Sequence, residues 1–322
     1  MTFARIAGTG GYLPERVVTN KDLEAMVDTT DQWIQERSGI KRRHIAADGE
    51  TTSDMAFAAA EKAIAAAGIE AQDIDLIIVA TTTPDKVFPS TACIVQRRLG
   101  IAKVPAFDVH AACSGFIYAL DVANRFIVTG GASNALVIGS ETYSRILDWT
   151  DRSTCVLFGD GAGAIVLRAS NEAGIISTHI HSDGQYEDLL HVPAGISSGY
   201  KHVQEEAAFI QMKGNEVFRK AVDTLGSIAR ETLAGNNIDK NDIAWLVPHQ
   251  ANLRIISAAA KKLALPMERV IVTVDEHANT SSASIPLALD VAVRDGRIKR
   301  GDLLLFEAFG AGFTWGSALV RF

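Results

Sequence analysis

Short apolar runs alternate along the chain with longer stretches that are apolar on one face only. Leu76-Ile-Ile-Val-Ala80, Pro105-Ala-Phe-Asp-Val109, Trp245-Leu-Val247 and Val270-Ile-Val-Thr-Val274 read as strands. Helical spacing runs through Thr52–Ala67 and Gly214–Ala234, each upstream of a strand. Strands that are continuous apolar runs, alternating with such helices, predict a mainly parallel sheet covered by helices.

The pattern is written twice. Ala119-Leu-Asp-Val-Ala123 recurs unchanged as Ala288-Leu-Asp-Val-Ala292, an offset of 169 residues (288 − 119). At the same offset Ile69-Glu-Ala-Gln-Asp-Ile74 faces Ile238-Asp-Lys-Asn-Asp-Ile243, and an apolar strand follows each. Downstream helices carry Arg97-Arg98-Leu99 and Lys261-Lys262-Leu263, and glycine-rich strands close both halves, Phe158-Gly-Asp-Gly-Ala-Gly163 and Phe309-Gly-Ala-Gly312. A period this long is not a solenoid repeat. It predicts an α/β protein of two duplicated halves, 1–172 and 214–322, packed about a pseudo-dyad in α/β/α/β/α layers. Between them, 173–213 is richer in Gly, Ser and His and reads as an inserted, loop-rich region, a candidate wall for a ligand site.

Composition narrows the class. With 31 basic and 38 acidic residues among 322, the net charge is −7, which argues against a general nucleic-acid binder but leaves room for a local basic patch. The 48% hydrophobic and 21% charged content is that of a compact globular chain long enough to build its core without staples. Its cysteines, Cys93, Cys113 and Cys155, have no metal-ligand or disulfide spacing, so no metal site is expected and a reducing compartment fits. The N-terminus reads straight into a strand, without signal-peptide character, and no apolar run reaches the ~20 residues of a membrane span. A cytoplasmic location is expected.

Cys113 falls where the strand ending at Val109 turns into an amphipathic helix, flanked by Ala111, Ala112, Ser114 and Gly115, small enough for a tight turn. A helix N-terminus offers unpaired N–H groups and positive potential that favour a thiolate. A lone cysteine is more often a small core residue, and Cys93 and Cys155 are read so. In the second half, His249 follows the strand Trp245–Val247, and Asn279 follows the strand Val270–Val274. The 169-residue offset sets Cys113 opposite Ser282. Ligands of open α/β sheets bind beyond the carboxyl ends of strands, so the three loops are expected to converge. A thiolate can take an acyl group from a thioester. Asn is no base at neutral pH, and paired His and Asn donors suit an enolate or oxyanion. These residue types suggest acyl transfer followed by decarboxylative carbon–carbon bond formation. Papain-like hydrolases share the Cys…His…Asn order, and the 136-residue gap (249 − 113) does not by itself exclude them; the mid-chain cysteine and the duplicated architecture weigh against them.

The chain resembles the condensing enzymes of the thiolase fold, most closely the β-ketoacyl-acyl-carrier-protein synthase III family. The resemblance rests on Gly8-Thr-Gly-Gly-Tyr-Leu-Pro14, Asp31-Gln-Trp-Ile34, Ala111-Ala-Cys-Ser-Gly115, Phe158-Gly-Asp-Gly-Ala-Gly163, Val247-Pro-His-Gln-Ala-Asn252, His277-Ala-Asn-Thr280 and Phe313-Thr-Trp-Gly-Ser317, in that order across the whole chain. Elongating relatives carry a second His where Asn279 stands, so the resemblance points to the initiating type. It implies that an acyl-CoA, typically acetyl-CoA, acylates Cys113. Malonyl-acyl-carrier protein then loses CO₂, His249 and Asn279 stabilise the enolate, and attack on the acyl-cysteine yields a 3-oxoacyl-carrier protein. Backbone N–H groups of Cys113 and Ala311 would form the oxyanion hole. The resemblance also assigns CoA contacts to Thr29, Trp33, Arg37, Arg152, Asn215 and Asn252, with no other cofactor. Trp33 and Arg37, four apart on one helical face, are suited to sandwich an adenine. Arg254, Lys261 and Lys262 share a helix face and, with Arg219, Gln250, Ala251, Asn252 and Leu253, form the expected docking site for the acidic acyl-carrier protein. Phe88, Phe158 and Phe309 are the acyl-tunnel candidates. Phe88 lies on a loop resembling one that reaches into the partner of a homodimer, although a local core position is equally open.

Three departures stand out. Ala311 occupies an expected glycine position, where a positive φ would cost energy. Arg219 replaces an expected Lys, and His110 an expected small residue that adjoins the Cys113 turn. Two other functions remain open: a thiolase-fold acyltransferase of secondary metabolism that releases no CO₂, and a silent acyl-binding protein.

Overall fold

A computed structural model of the chain describes residues 2–199 and 208–322. In chain order its strands are β1 (Phe3–Tyr12), β2 (Arg16–Thr19), β3 (Arg42–Ile45), β4 (Leu76–Ala80), β5 (Ala106–Val109), β6 (Asn134–Glu141), β7 (Gly161–Ser170), β8 (Ile175–Ser182), β9 (Leu190–His191), β10 (Gln211–Met212), β11 (Trp245–Pro248), β12 (Leu303–Gly310) and β13 (Thr314–Arg321). The helices are α1 (Asn20–Glu24), α2 (Asp31–Ser38), α3 (Thr52–Ala67), α4 (Thr91–Arg98), α5 (Gly115–Val128), α6 (Gly214–Asn236), α7 (Leu253–Leu263), α8 (Val274–His277) and α9 (Ser284–Arg294).

The duplication is visible in the sheets. The first sheet has the order β1-β7-β6-β4-β5 and the second the order β8-β13-β12-β11, so β1, β4, β6 and β7 answer to β8, β11, β12 and β13. Helices α5 and α9 lie between the sheets: Phe116, Leu120, Ile285 and Leu289 share one core with Ile78 of β4 and Phe306 of β12. Helix α3 covers the outer face of the first sheet, and α6 and α7 that of the second. This is the expected five-layer arrangement. Helix α3 starts at a reciprocal Thr51–Asp54 cap and ends at Gly68 in the left-handed region. Its alanine face seats on β1 because Gly8 and Gly10 have no side chain; a Cβ there would stand 2.3 Å from the Ala63 and Ala59 carbonyl oxygens.

The structure corrects the sequence reading at three points. The sheets are mixed rather than mainly parallel: β4 runs parallel to β5 and β6, but β7 and β13 are antiparallel to their neighbours. Only residues 311–313 join β12 to β13, too few for a parallel crossover. Segment 173–213 is not wholly an insert, since β8 pairs along β13 as the edge strand equivalent to β1. Finally, Val270–Val274 is not a strand. Val270 makes a single bridge to Leu246, and α8 begins at Val274. The Gln250 side chain ends the ladder by accepting from the Thr273 and Val274 N–H groups at 2.8 and 3.1 Å.

Candidate active site

Each central helix is preceded by a tight turn, Ala112–Ser114 before α5 and Ser281–Ala283 before α9, 169 residues apart. Their first residues are both left-handed, Ala112 at φ +44° and Ser281 at φ +51°. The two turns pack on each other, and the first also packs on β12. Cys113 is thus held at the seam of the halves, 4% exposed. Gly310 closes the other side, where a Cβ would lie 2.7 Å from the Cys113 nitrogen. The Ser114 hydroxyl reaches Thr314 Oγ1 at 2.7 Å and the Ala111 carbonyl at 2.8 Å, while Thr314 Oγ1 also lies 3.1 Å from the Ala311 carbonyl. These contacts register the Gly310–Gly312 loop on the cysteine turn. Ala311 does not take the positive φ; Gly312 does, at +128°, so the alanine carries no left-handed strain.

The helix tip is expected to favour a thiolate, but burial outweighs it. The Cys113 thiol is pushed up to about 12, mainly by desolvation and further by the charge of Glu141, against a hydrogen bond from Ser281. The resting group is therefore a thiol. His110 is exposed and does not contribute to this shift.

His249 follows β11, its N–H donating to the Glu307 carbonyl at 2.8 Å, and its ring is buried edge-on to Phe309 at 5.7 Å. Burial pulls the imidazole down to about 3, so the ring is neutral at pH 7. Nδ1 lies 2.7 Å from Ser284 Oγ, which itself accepts the Gln250 N–H at 3.3 Å. The Ser284 hydroxyl hydrogen has no other acceptor among the described residues, so the tautomer that satisfies it has Nδ1 accepting and the ring proton on Nε2. Nε2 has no hydrogen-bond partner among the described residues.

Asn279 is pinned by its backbone, donating to the Leu157 carbonyl at 2.9 Å and accepting from Gly159 at 3.0 Å. Its Oδ1 accepts the Ser281 N–H at 2.9 Å, so Nδ2 is the group left to donate. The site therefore offers a buried thiol and two neutral N–H donors from the other half, with no base among those three side chains. Phe158 and Phe309 are buried here, against Tyr143 at 5.1 Å and His249 respectively. Phe88 is 82% exposed, which excludes a local core role.

Outside this centre the predicted residues divide. Trp33 carries the guanidinium groups of Arg152 at 5.3 Å and Arg37 at 5.8 Å, and Arg152 is held by the Asp28 carbonyl at 2.9 Å. Both lie inside the ~7 Å (two van der Waals spacings) that an intervening flat ring needs, so an adenine would displace one of them. Thr29 Oγ1 is buried without a partner among the described residues. Asn252 caps α7, accepting the Ile255 N–H at 2.9 Å, and α7 packs beside α2. Asn215 is exposed in the first turn of α6. On the docking face Arg219, Leu253, Arg254, Lys261 and Lys262 are exposed, Arg254 over the Phe218 ring at 5.2 Å and Lys262 paired with Asp223 at 2.5 Å. Gln250 and Ala251 are buried, which corrects their assignment to that face. The Gln250 carboxamide is spent on backbone, donating to the Pro248 and Ile271 carbonyls at 2.8 and 3.0 Å.

Comparison with known proteins decides the family. The 3-oxoacyl-[acyl-carrier-protein] synthase III family model matches residues 107–184, and its C-terminal companion matches 233–322. The chain is 67% identical to β-ketoacyl-[acyl-carrier-protein] synthase III of Thioalkalivibrio sulfidiphilus over 322 residues, all of both chains. The chain belongs to the β-ketoacyl-[acyl-carrier-protein] synthase III family. Among solved structures, the 3-oxoacyl-[acyl-carrier-protein] synthase III of Aquifex aeolicus superposes with a TM-score of 0.94 at 49% identity, covering 99% of this chain and 100% of that one. The priming β-ketosynthase of the R1128 polyketide pathway gives 0.93 at 38%, covering 99% and 96%.

For a synthase of this family, sequence reasoning overlooked four residues around the centre: Glu141, Tyr143, Ser281 and Ser284. The signal for Glu141 was available, because a single acid closes the apolar run Ala135–Glu141 at the end of a strand. Nothing in the local pattern marks the two serines, whose partners are 140 and 35 residues away.

Proposed function

We propose that Cys113, His249 and Asn279 divide the work of this condensing enzyme, an acyltransferase that initiates fatty-acid synthesis. In the first half-reaction the Cys113 sulfur attacks the thioester carbonyl of a short acyl-CoA, with acetyl-CoA the expected primer. As the tetrahedral intermediate collapses, the C–S bond to CoA breaks and the thiol proton passes to the departing CoA sulfur, leaving an acyl-cysteine and CoA as its thiol. N–H groups of Cys113 and Ala311 hold the tetrahedral oxyanion. In the second half-reaction malonyl-acyl-carrier protein loses CO₂. The electron pair of the broken C–C bond passes into the thioester carbonyl, and His249 Nε2–H and Asn279 Nδ2–H hold the enolate oxygen. Its carbon attacks the acyl-cysteine, the C–S bond breaks, and a 3-oxoacyl-carrier protein leaves while the Cys113 thiolate takes a proton from water, restoring the thiol.

The observation that carries this reading is that a neutral, buried His249 and the Asn279 carboxamide are both tied to the start of α9, through Ser284 and Ser281, with Nε2 and Nδ2 lacking partners among the described residues. Loss of CO₂ creates the carbanion without proton abstraction, so donors suffice. Trp33, Arg152, Thr29, Arg37, Asn215 and Asn252 are the proposed CoA contacts. Arg219, Leu253, Arg254, Lys261 and Lys262 are the proposed surface for the acidic carrier protein. The exposed Phe88 is proposed to meet a second copy of the chain in a homodimer. No described helix is long and apolar enough to cross a membrane, and we place the reaction in the cytoplasm. A panel of acyl-CoA primers, assayed with malonyl-carrier protein for CO₂ and 3-oxoacyl product, tests the reading. Acyl transfer without CO₂ release would instead support an acyltransferase.

A further inference from the structure

Glu141 ends β6 and is wholly buried where the halves meet. A buried carboxyl is costly unless donors meet its oxygens. Here Oε2 accepts from the Thr82 N–H at 3.0 Å and from the hydroxyls of Thr81, Thr82 and Thr83 at 3.2, 3.2 and 2.8 Å. Oε1 reaches into the other half, accepting from the hydroxyls of Ser281 and Ser282 at 3.1 and 3.0 Å. The Tyr143 hydroxyl closes the ring, 3.0 Å from Ser281 Oγ and 3.2 Å from Thr82 Oγ1. One side chain thus ties the loop after β4 to the turn before α9.

That turn needs an external hold. Ser281 and Ala278 sit at φ +51° and +58°, where residues with a Cβ are strained and persist only when their surroundings over-determine them. The Ser281 N–H is also the donor that orients the Asn279 carboxamide. Any rotation of Ser281 therefore swings Nδ2. The backbone of the Cys113 turn is registered separately, through Gly310 and the Ser114–Thr314 contact, although the thiol itself also meets Ser281.

We infer that Glu141 is a positioning residue that acts through Ser281 to aim Asn279, and so serves the condensation half-reaction rather than acylation. The inference rests on the proposed function, and the test separates the two. Wild-type enzyme that forms the acyl adduct but releases no CO₂ from malonyl-carrier protein would overturn that function before any variant is compared. With the function standing, Glu141→Gln, Asn279→Ala and the double variant are compared. Acyl-adduct formation is followed by mass spectrometry, and product formation is followed from pre-acylated enzyme. Glu141→Gln is expected to slow condensation on the order of 10²-fold, the scale of an ångström misplacement, while acylation is not slowed, because removing the Glu141 charge can only ease the Cys113 thiol downward. The double variant should condense no more slowly than Asn279→Ala. Equal slowing of both half-reactions, or independent losses that multiply in the double variant, would overturn the inference. Should Glu141→Gln not fold by circular dichroism, Ser281→Ala takes its place in the same cycle. That cycle is read on condensation alone because Ser281 also touches the Cys113 thiol, and multiplying losses would again overturn it.

Discussion

Cys113 and Asn279 are separable residues in the proposed chemistry, and their variants should differ in kind. Cys113→Ala should take up no acyl group from acyl-CoA in intact-mass measurement. Asn279→Ala should acylate normally yet condense about 10²–10³-fold more slowly, the usual loss for one oxyanion donor. Equal loss in both half-reactions of Asn279→Ala would refute the division. Glu307 supports a prediction of another sort. Its carboxyl is buried with both oxygens unpartnered among the described residues, and burial pushes it up to about 8. In the unfolded chain it ionises near 4.5. Between those values the unfolded state binds fewer protons, so this group's stabilisation, complete below about 4.5, is lost as pH rises through 8. Its contribution falls by about 1.4 kcal/mol per pH unit across that window. Glu307→Gln should flatten the wild-type decline in denaturant midpoint between pH 5 and 8, and an unchanged slope would place the titration elsewhere.

Among the elements, the tight turns before α5 and α9 matter most, because the first carries Cys113 and the second leads into the Ser281 and Ser284 contacts that orient Asn279 and His249. Gly310 allows β12 to approach the first of them. Gly310→Ala should therefore cost both acylation and stability, about 1–3 kcal/mol for the overpacked contact, visible as a lower unfolding midpoint alongside slow adduct formation. Much at this scale was legible in sequence. The ALDVA repeat placed both central helices, and the small residues around Cys113 marked a tight turn. Val270–Val274 was misjudged because its periodicity is that of a strand while Gln250 claims the Thr273 and Val274 N–H groups that would continue the ladder. Local pattern reports which face is apolar, not which partner claims the backbone. Gln250 was misassigned for the same reason: its neighbours Asn252 and Leu253 open onto the surface, whereas its carboxamide turns inward to bracket two loops.

Across the whole molecule, the proposed docking has a net-acidic enzyme attract an acidic carrier protein through a local basic surface. Charge reversal at Arg254 and Lys261 should raise KM for malonyl-carrier protein and weaken its dependence on salt, while acylation by acyl-CoA stays unchanged. A parallel loss with both substrates would place the effect in the fold instead. The amino-acid sequence by itself determined the duplication, the layered α/β class and the family, and it singled out the proposed catalytic trio, because repeats, hydrophobic period and short motifs are local and survive in one dimension. Only the tertiary structure decided that the cysteine rests as a thiol, that His249 is a neutral donor, and that Glu141 spans the seam. Protonation and orientation depend on desolvation and on hydrogen bonds between separate elements, such as His249 with Ser284 and Glu141 with Ser281, 35 and 140 positions apart, and those exist only once the chain has packed.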